Sequence, residues 1–200
     1  MTDIKCFNRW STEGIMVKDI GIAPYITLQA KIVPKTGARY AGKRFHKSNV
    51  FIVERLAAKL MTTGHKAKKH FISSGHHTGK KNYALNIVES ALVKVEAKLK
   101  KNPLFALVQG IENAAPREEV TSIEYGGARY SKAVEVSPLR RIDYALRLMT
   151  QSAYSKAFNS KKSIERSMAE EIIAAYKMDQ QGSAAIAKKL ELERQADSSR

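Results

Sequence analysis

The residues with the strongest claim to chemistry lie between Gly64 and Lys81. Four histidines, His65, His70, His76 and His77, fall in this stretch, a density that invites a zinc site. No cysteine pair accompanies them and no carboxylate lies among them, whereas closed zinc sites draw on such ligands at tighter spacing. The run Gly75-His-His-Thr-Gly79-Lys80-Lys81 has the glycines and lysine of a phosphate-cradling loop. It is one residue short between the glycines, and Lys81 stands where Ser or Thr must hold magnesium. Glu118 and Glu119 are adjacent carboxylates, but on a strand they point to opposite faces and make no acid/base pair. There is no nucleophile elbow, no HExxH and no paired Cys–His arrangement. Most other carboxylates sit in mixed-charge helical stretches, the ordinary pattern of a solvated face. The expectation is a protein that is not an enzyme and that uses no metal and no cofactor.

What the chain does carry is segregated charge. Residues 31–81 hold 13 of the 35 Lys and Arg residues and one carboxylate, Glu54, which is +12 of a formal net charge of +16. Residues 137–163 add +5, and the remaining segments are close to neutral. Solvated charge could merely keep a small domain soluble, but solubility does not require carboxylates to be missing from one segment. Charge of one sign in one place implies an anionic partner. An anionic membrane would call for a basic amphipathic helix with bulky apolar anchors, and the basic segment is rich in Gly, Ser and His instead. No run approaches the roughly 18 apolar residues of a membrane span. Nucleic acid is the partner that fits. In residues 34–48, Arg39, Lys43, Arg44 and Lys47 alternate with Tyr40, Phe45 and His46. Cations beside rings suit an RNA backbone with unstacked bases nearby; the alternative is a solvated loop whose rings tuck into the core.

These residues need elements to position them. The chain has 200 residues, 44% of them apolar, enough for one proper core. Cys6 is the single cysteine, which excludes an internal disulfide framework and fits a reducing compartment. The N-terminus is mixed and carries Asp3, unlike a secretory signal. The expectation is a soluble intracellular protein. Residues 15–22 and 25–33 alternate about Pro24 and predict short strands or an extended arm, which Phe7 and Trp10 could anchor against a neighbour or tuck into the core. Residues 49–61 carry one helical stripe, with Ser48 or Asn49 as cap and Gly64 as its end. Residues 65–79 read as a polar insertion.

Residues 80–99 form the clearest helix. Asn102 and Pro103 cap and open another that stops before Pro116. Glu118 to Tyr125, Gly126-Gly127, and Ala128 to Val136 read as a β-hairpin with a two-residue turn. Its tip brings Tyr125, Arg129 and Tyr130 beside a flexible glycine pair. Ser137-Pro138 opens a helix with Leu139, Ile142, Leu146 and Met149 as its buried stripe. Arg140 and Arg141 lie in its first turn, where the macrodipole disfavours cations by a few tenths of a kcal/mol, a cost that phosphate contact offsets. Lys161 and Lys162 precede a fifth helix with Ile164, Met168, Ile172 and Ala175. Gly182-Ser183 begins a last one, to about Asp197, with a weaker stripe. The predicted fold is mainly α: a bundle of about six helices with a protruding β-hairpin and an extended N-terminal arm. Residues 1–48 are the arm and basic loop; residues 49–200 are the helical RNA-binding domain, with the hairpin at 118–136.

The order of parts resembles the universal small-subunit ribosomal protein family seven, and within it the eukaryotic form. The matching segments are Gly37-Ala-Arg-Tyr-Ala-Gly-Lys-Arg-Phe45, Ile52-Val-Glu-Arg-Leu56, Gly79-Lys-Lys81, Asn102-Pro-Leu104, Ala115-Pro-Arg-Glu118 and Val134-Glu-Val-Ser-Pro-Leu-Arg-Arg-Ile142. Leu190-Glu-Leu-Glu-Arg-Gln-Ala196 and Ser199-Arg200 carry the likeness to the eukaryotic C-terminus. The resemblance implies a structural constituent of the small ribosomal subunit. Such a protein binds the 3′ major domain of the small-subunit rRNA and nucleates assembly of the head. It lies near exit-site tRNA and mRNA, beside neighbouring head and platform ribosomal proteins. It implies a cytoplasmic location in the small subunit, with assembly in the nucleolus if the source is eukaryotic, and no membrane. Carried onto this chain, rRNA contact falls on Arg39, Lys43, Arg44, Lys47, Lys80, Lys81, Arg140 and Arg141, with Lys161 and Lys162 as further rRNA-binding candidates. Proximity to mRNA and tRNA falls on Tyr125, Gly126, Gly127, Arg129 and Tyr130. The insertion at 65–77 is longer than the family's usual turn, and Glu124 and Tyr125 stand where basic residues are expected. A DNA-binding architectural or helix-turn-helix protein is the first rival, but it predicts a recognition helix with polar side chains aimed at base edges. An RNA-modifying enzyme is the second, and it predicts a cofactor loop or acid/base pair.

Overall fold

The computed structural model describes residues 4–32, 34–37, 39, 41–66, 69–70 and 75–200. Asp3, Val33, Tyr40 and Lys68 lie outside the described residues. Six α-helices are present among those described: α1 (Ile52–Leu60), α2 (Lys81–Leu99), α3 (Pro103–Ala114), α4 (Pro138–Ala157), α5 (Ile164–Tyr176) and α6 (Ala184–Asp197). None is long and apolar enough to cross a membrane. Strands β1 (His65–Lys66) and β2 (Lys69–His70) form a short antiparallel ladder inside the insertion that the sequence suggested was a plain loop. Strands β3 (Glu118–Tyr125) and β4 (Ala128–Glu135) form the expected hairpin.

Helix α5 is the centre of the bundle and packs against α2, α3 and α4. Its stripe, Met168, Ala169, Ile172 and Ala175, is buried. Helix α3 is apolar almost all round, as a helix enclosed by neighbours must be: Leu104, Ala106, Leu107, Val108, Ile111 and Ala114 are all buried. Gly110 faces α5, where a Cβ would make ordinary van der Waals contact, 3.4 Å from Ala175 Cβ and 3.5 Å from the Ile172 carbonyl. Side chains cap three of the helices. Asn102 Oδ1 accepts from Leu104 N (3.0 Å), Ser163 Oγ from Arg166 N (3.3 Å) and Ser183 Oγ from Ile186 N (3.4 Å). Ser137 occupies the N-cap of α4 without a capping bond from its side chain. In α4, Ile142, Leu146 and Met149 are fully buried, while Leu139 is only half-buried.

Helix α1 starts later than its sequence suggests. Its N-cap is Phe51, not Ser48 or Asn49, and no side chain caps it. Residues His46–Asn49 form a 3-10 turn instead. The reason is a long-range tie. Phe51 is fully buried and bridges Thr27 in parallel, and Thr27 Oγ1 donates to the Ser48 carbonyl. The chain is therefore extended through Phe51, and helical geometry begins only beyond it.

The two alternating N-terminal stretches form no strand among the described residues. They form turns, with one 3-10 turn (Ala23–Tyr25) where they meet and the isolated bridge Thr27–Phe51; ahead of them Cys6 bridges Trp10. The alternation survives in burial only at its start: Ile15 and Val17 pack on the core and Met16 is exposed, but Ile20 is exposed and Ile22 fully buried. What differs is the partner. Side chains and backbone of the bundle take the place of a second strand. Trp10, itself in the core, donates from Nε1 to Glu96 (2.9 Å), and Asn102 Nδ2 donates to the Ser11 carbonyl (2.8 Å). Glu112 Oε1 accepts from the backbone of Lys18 and Asp19. Cys6, Trp10, Ile22 and Ile26 belong to the same core as the helices.

Gly126 and Gly127 turn the hairpin with φ of 59° and 82°, the left-handed values that a two-residue I′ turn demands. Residues 121–132 are exposed on both faces, so the outer hairpin projects. Its base lies on α6, and Arg200 donates to both carboxylate oxygens of Glu118 (2.8 and 2.7 Å).

One buried carboxylate joins the last three helices. Glu171 on α5 is fully buried. Its Oε2 accepts from Ser152 Oγ and Lys156 Nζ on α4, both at 2.7 Å. Its Oε1 accepts from Ser183 Oγ (2.8 Å) at the start of α6. Removing a carboxylate that satisfies buried donors leaves them unpaired. Glu171→Ala is expected to lower stability by about 2 kcal/mol, and Glu171→Gln by less, as read from the urea midpoint at unchanged slope.

Candidate nucleic-acid interface

The basic segment folds because carboxylates hold it. Glu54, on the first turn of α1, is 1% exposed. Its Oε1 accepts from Thr36 N (2.8 Å), Thr36 Oγ1 (2.9 Å) and Lys81 Nζ, tying the loop at 34–50 to the start of α2. Its Oε2 is buried and finds no hydrogen-bond partner among the described residues. Asp143 on α4 does the same from the other side. It pairs with Lys47 (2.7 Å), Arg55 (3.2 Å) and Lys59 (3.9 Å). Arg55 is only 5% exposed and also donates from Nη1 to the Tyr25 carbonyl (2.9 Å). Phe45, with a left-handed φ of 57°, sets its ring edge-on to Tyr25 at 6.3 Å. Arg44 lies over the Phe45 ring at 4.8 Å, a cation–π contact that orders an exposed guanidinium.

The result is a cleft where loop, α1 and α4 meet. Lys47, Lys59, Arg140 and Arg147 bring their cations to it, beside Phe45, His46 and Tyr144, with Asp143 as its carboxylate. Arg140, Tyr144 and Arg147 share a face of α4 by their spacing of four and seven. Titration follows the geometry. Burial pushes the Asp143 carboxyl up, but the hydrogen bond from Lys47 and the charges of Lys59, Arg55 and Lys47 outweigh it and hold the carboxyl below its usual value. Burial draws Lys59 below the ordinary lysine value, against the attraction of Asp143. Arg55 is likewise lowered by burial and supported by Asp143.

The expected binding residues fall into distinct settings. Arg39, Lys43, Arg44 and Lys47 are exposed on the loop. Lys81 is half-buried on Glu54. Arg140 is exposed and donates from Nε and Nη2 to Glu119 (3.1 and 2.9 Å). Arg141 is buried: Nε donates to the Pro116 carbonyl (3.0 Å) and Nη2 to Asp19 (2.6 Å). Adjacent arginines thus face opposite ways, one towards the surface and one into the fold. Lys80 and Lys161 are exposed away from the first cleft, and Lys162 pairs with Glu170. At the hairpin tip Tyr125 and Tyr130 are 81% and 60% exposed, and Arg129 lies opposite Glu124 in register, 3.5 Å from its carboxylate. Sequence reasoning missed Lys59, Tyr144 and Arg147; the helical spacing from Arg140 was the signal for the last two. Among the described residues no three His, Cys, Asp or Glu side chains are placed to hold a metal ion.

Fold and face together are those of a helical protein that gathers exposed cations beside aromatic rings on one side. The profile of the family described as ribosomal protein S7p/S5e matches residues 23–200. The chain is 48% identical over 197 residues to small ribosomal subunit protein uS7 of Nanoarchaeum equitans, covering 98% of this chain and 99% of that one. It is 42% identical over 198 residues to small ribosomal subunit protein uS7 of Methanococcus vannielii, covering 99% and 96%. The chain belongs to the ribosomal protein S7p/S5e family, and it is a structural protein, not an enzyme. Neither of these two organisms is a eukaryote, so they support the family without the eukaryotic form that the C-terminus suggested.

A group whose folded pKa is depressed contributes stability above its unfolded pKa, and that contribution is lost as pH falls through the folded value. Asp143 is such a group. Asp143→Asn is expected to cost about 2 kcal/mol near neutral pH, because Arg55 keeps its charge without its carboxylate. The gap to wild type should close as pH falls from about 4 through the folded pKa, in urea titrations at each pH.

Proposed function

We propose that this chain, a structural constituent of the small ribosomal subunit, binds the 3′ major domain of the small-subunit rRNA and nucleates assembly of the head. The observation that carries the reading is the cleft in which Asp143 fixes Lys47 of the basic loop, Lys59 of α1 and the basic face of α4 in one relation. Two RNA helices that touch loop and helix are then held relative to each other. Arg39, Lys43, Arg44, Lys47, Lys80, Arg140 and Lys161 supply exposed cations that displace counterions from phosphate. RNA shape and splayed bases supply selectivity. The projecting hairpin reaches towards exit-site tRNA and mRNA with Tyr125, Gly126, Gly127, Arg129 and Tyr130. Arg129 faces Glu124, so its contact is weighted to ring stacking on Tyr125 and Tyr130 rather than to charge. Neighbouring head and platform ribosomal proteins take the remaining surface, and the mature particle works in the cytoplasm.

The test is binding to a fragment of the 3′ major domain across a salt series, with double-stranded DNA of equal charge as competitor. The wild type should prefer the RNA. Lys43→Ala/Arg44→Ala should weaken binding and make the slope of log K against log salt shallower by about 2, one unit per phosphate contact. Arg141→Ala should lower thermal stability, since it strands Asp19 and the Pro116 carbonyl. Equal affinity for RNA and DNA would leave only a generic polycation.

A further inference from the structure

A second cleft lies between the start of α2 and the end of α4, away from the Asp143 site. Its floor is apolar, formed by Leu60, Ala84 and Ile87, and its volume is about 270 Å³. Four rings surround it: His77, Tyr83, Tyr154 and Phe158. Tyr154 and Phe158, one helical turn apart, stack at 6.0 Å with 29° between planes. His77 lies 5.7 Å from Tyr154 at 36°, with Nε2 set against the Thr63 carbonyl at 3.2 Å. Tyr83 and Phe158 are 59% and 49% exposed, unusual for large rings beside an apolar floor. Lys80 stands on the wall, and no carboxylate lines the cleft among the described residues. The loop from Phe158 to Ile164, both lining residues, carries exposed Lys161.

We propose that this cleft receives one unstacked nucleobase of the bound RNA, sandwiched by Tyr83 and Phe158, with Lys80 and Lys161 on the flanking phosphates. The site rests on the RNA binding proposed above and adds a base-stacking element to it. Each feature matches that ligand. Stacking on aromatic rings is how single-stranded bases are held irrespective of sequence. The volume suits one base and excludes a helical stack. An apolar protein anchor would be served by a neutral rim, whereas here Lys80 lines the cleft and exposed Lys161 lies on the loop between two lining residues, the complement of a planar base on an anionic backbone.

Stacking is non-ionic, so it can be separated from phosphate contact by salt. In the full chain, Tyr83→Ala/Phe158→Ala is expected to bind the 3′ major domain fragment about tenfold more weakly, with an unchanged salt slope and a melting temperature lowered by only a few degrees. Lys80→Ala is expected to make the slope shallower by about one. A Phe158→Trp variant gives a second readout, since its emission should be quenched by the RNA fragment and not by polyphosphate of equal charge. Wild-type affinity in the double variant, or equal quenching by polyphosphate, overturns the site while leaving the proposed function standing. If the wild type itself shows no preference for the fragment, the proposed function fails and the site falls with it.

Discussion

Residues 31–81 carry twelve net positive charges, and a chain of like charges does not fold against itself unless something neutralises it locally. Two carboxylates do this. Glu54 is the segment's own and is buried between the loop and α2. Asp143 comes from α4 and gathers Lys47, Arg55 and Lys59. Buried or half-buried pairs are not a cheap source of stability, because desolvation cancels much of the attraction. What these two provide is placement. Each is bonded by groups from separate parts of the chain, so the loop, the first helix and the fourth helix cannot shift independently.

The same economy explains why adjacent cations have unlike roles. Arg141 is turned inwards, where Asp19 and the Pro116 carbonyl hold its fork, and it thereby fastens the N-terminal segment and the hairpin's entry to the start of α4. Arg140 is turned outwards and rests on Glu119 at the hairpin base. An exposed pair of that kind is worth little, so Glu119 holds Arg140 only weakly. Burial, more than charge, separates the cations that build the fold from those that remain available to a partner.

Much of this was legible in order along the chain. Asn102-Pro103 and Gly182-Ser183 mark two helix starts by local chemistry alone, and Gly126-Gly127 marks the turn. The failures share one cause, a partner far away in sequence. The start of α1 depends on Thr27 meeting Phe51. The N-terminal alternation reports burial only in part and not its partner, because Trp10 and the backbone of Lys18 are answered by Glu96 and Glu112 rather than by a strand. Arg141 reads as surface charge until Asp19, 122 residues earlier, is found beside it. The basic cleft shows both sides. The charge excess and Arg140 were visible, and the spacing to Tyr144 and Arg147 could have extended the face. The addition of Lys59 needed the packing of α1 on α4.

The hairpin obeys a different constraint from the bundle. An isolated two-stranded hairpin is marginal in water, and here the outer part, residues 121–132, buries no side chain on either face. Only its base is anchored, on α6 and through the Arg200–Glu118 pair. The geometry of its tip is therefore set by the I′ turn and the backbone ladder, not by packing. A segment that projects so far is held by its ladder, its turn and the Arg129–Glu124 pair, with no help from the core. The two tyrosines at its tip, left exposed at some cost in apolar hydration, are consistent with a surface outside the fold. The bundle fixes where the hairpin starts and the glycine turn fixes where it ends, so its reach is determined even though its stability is not.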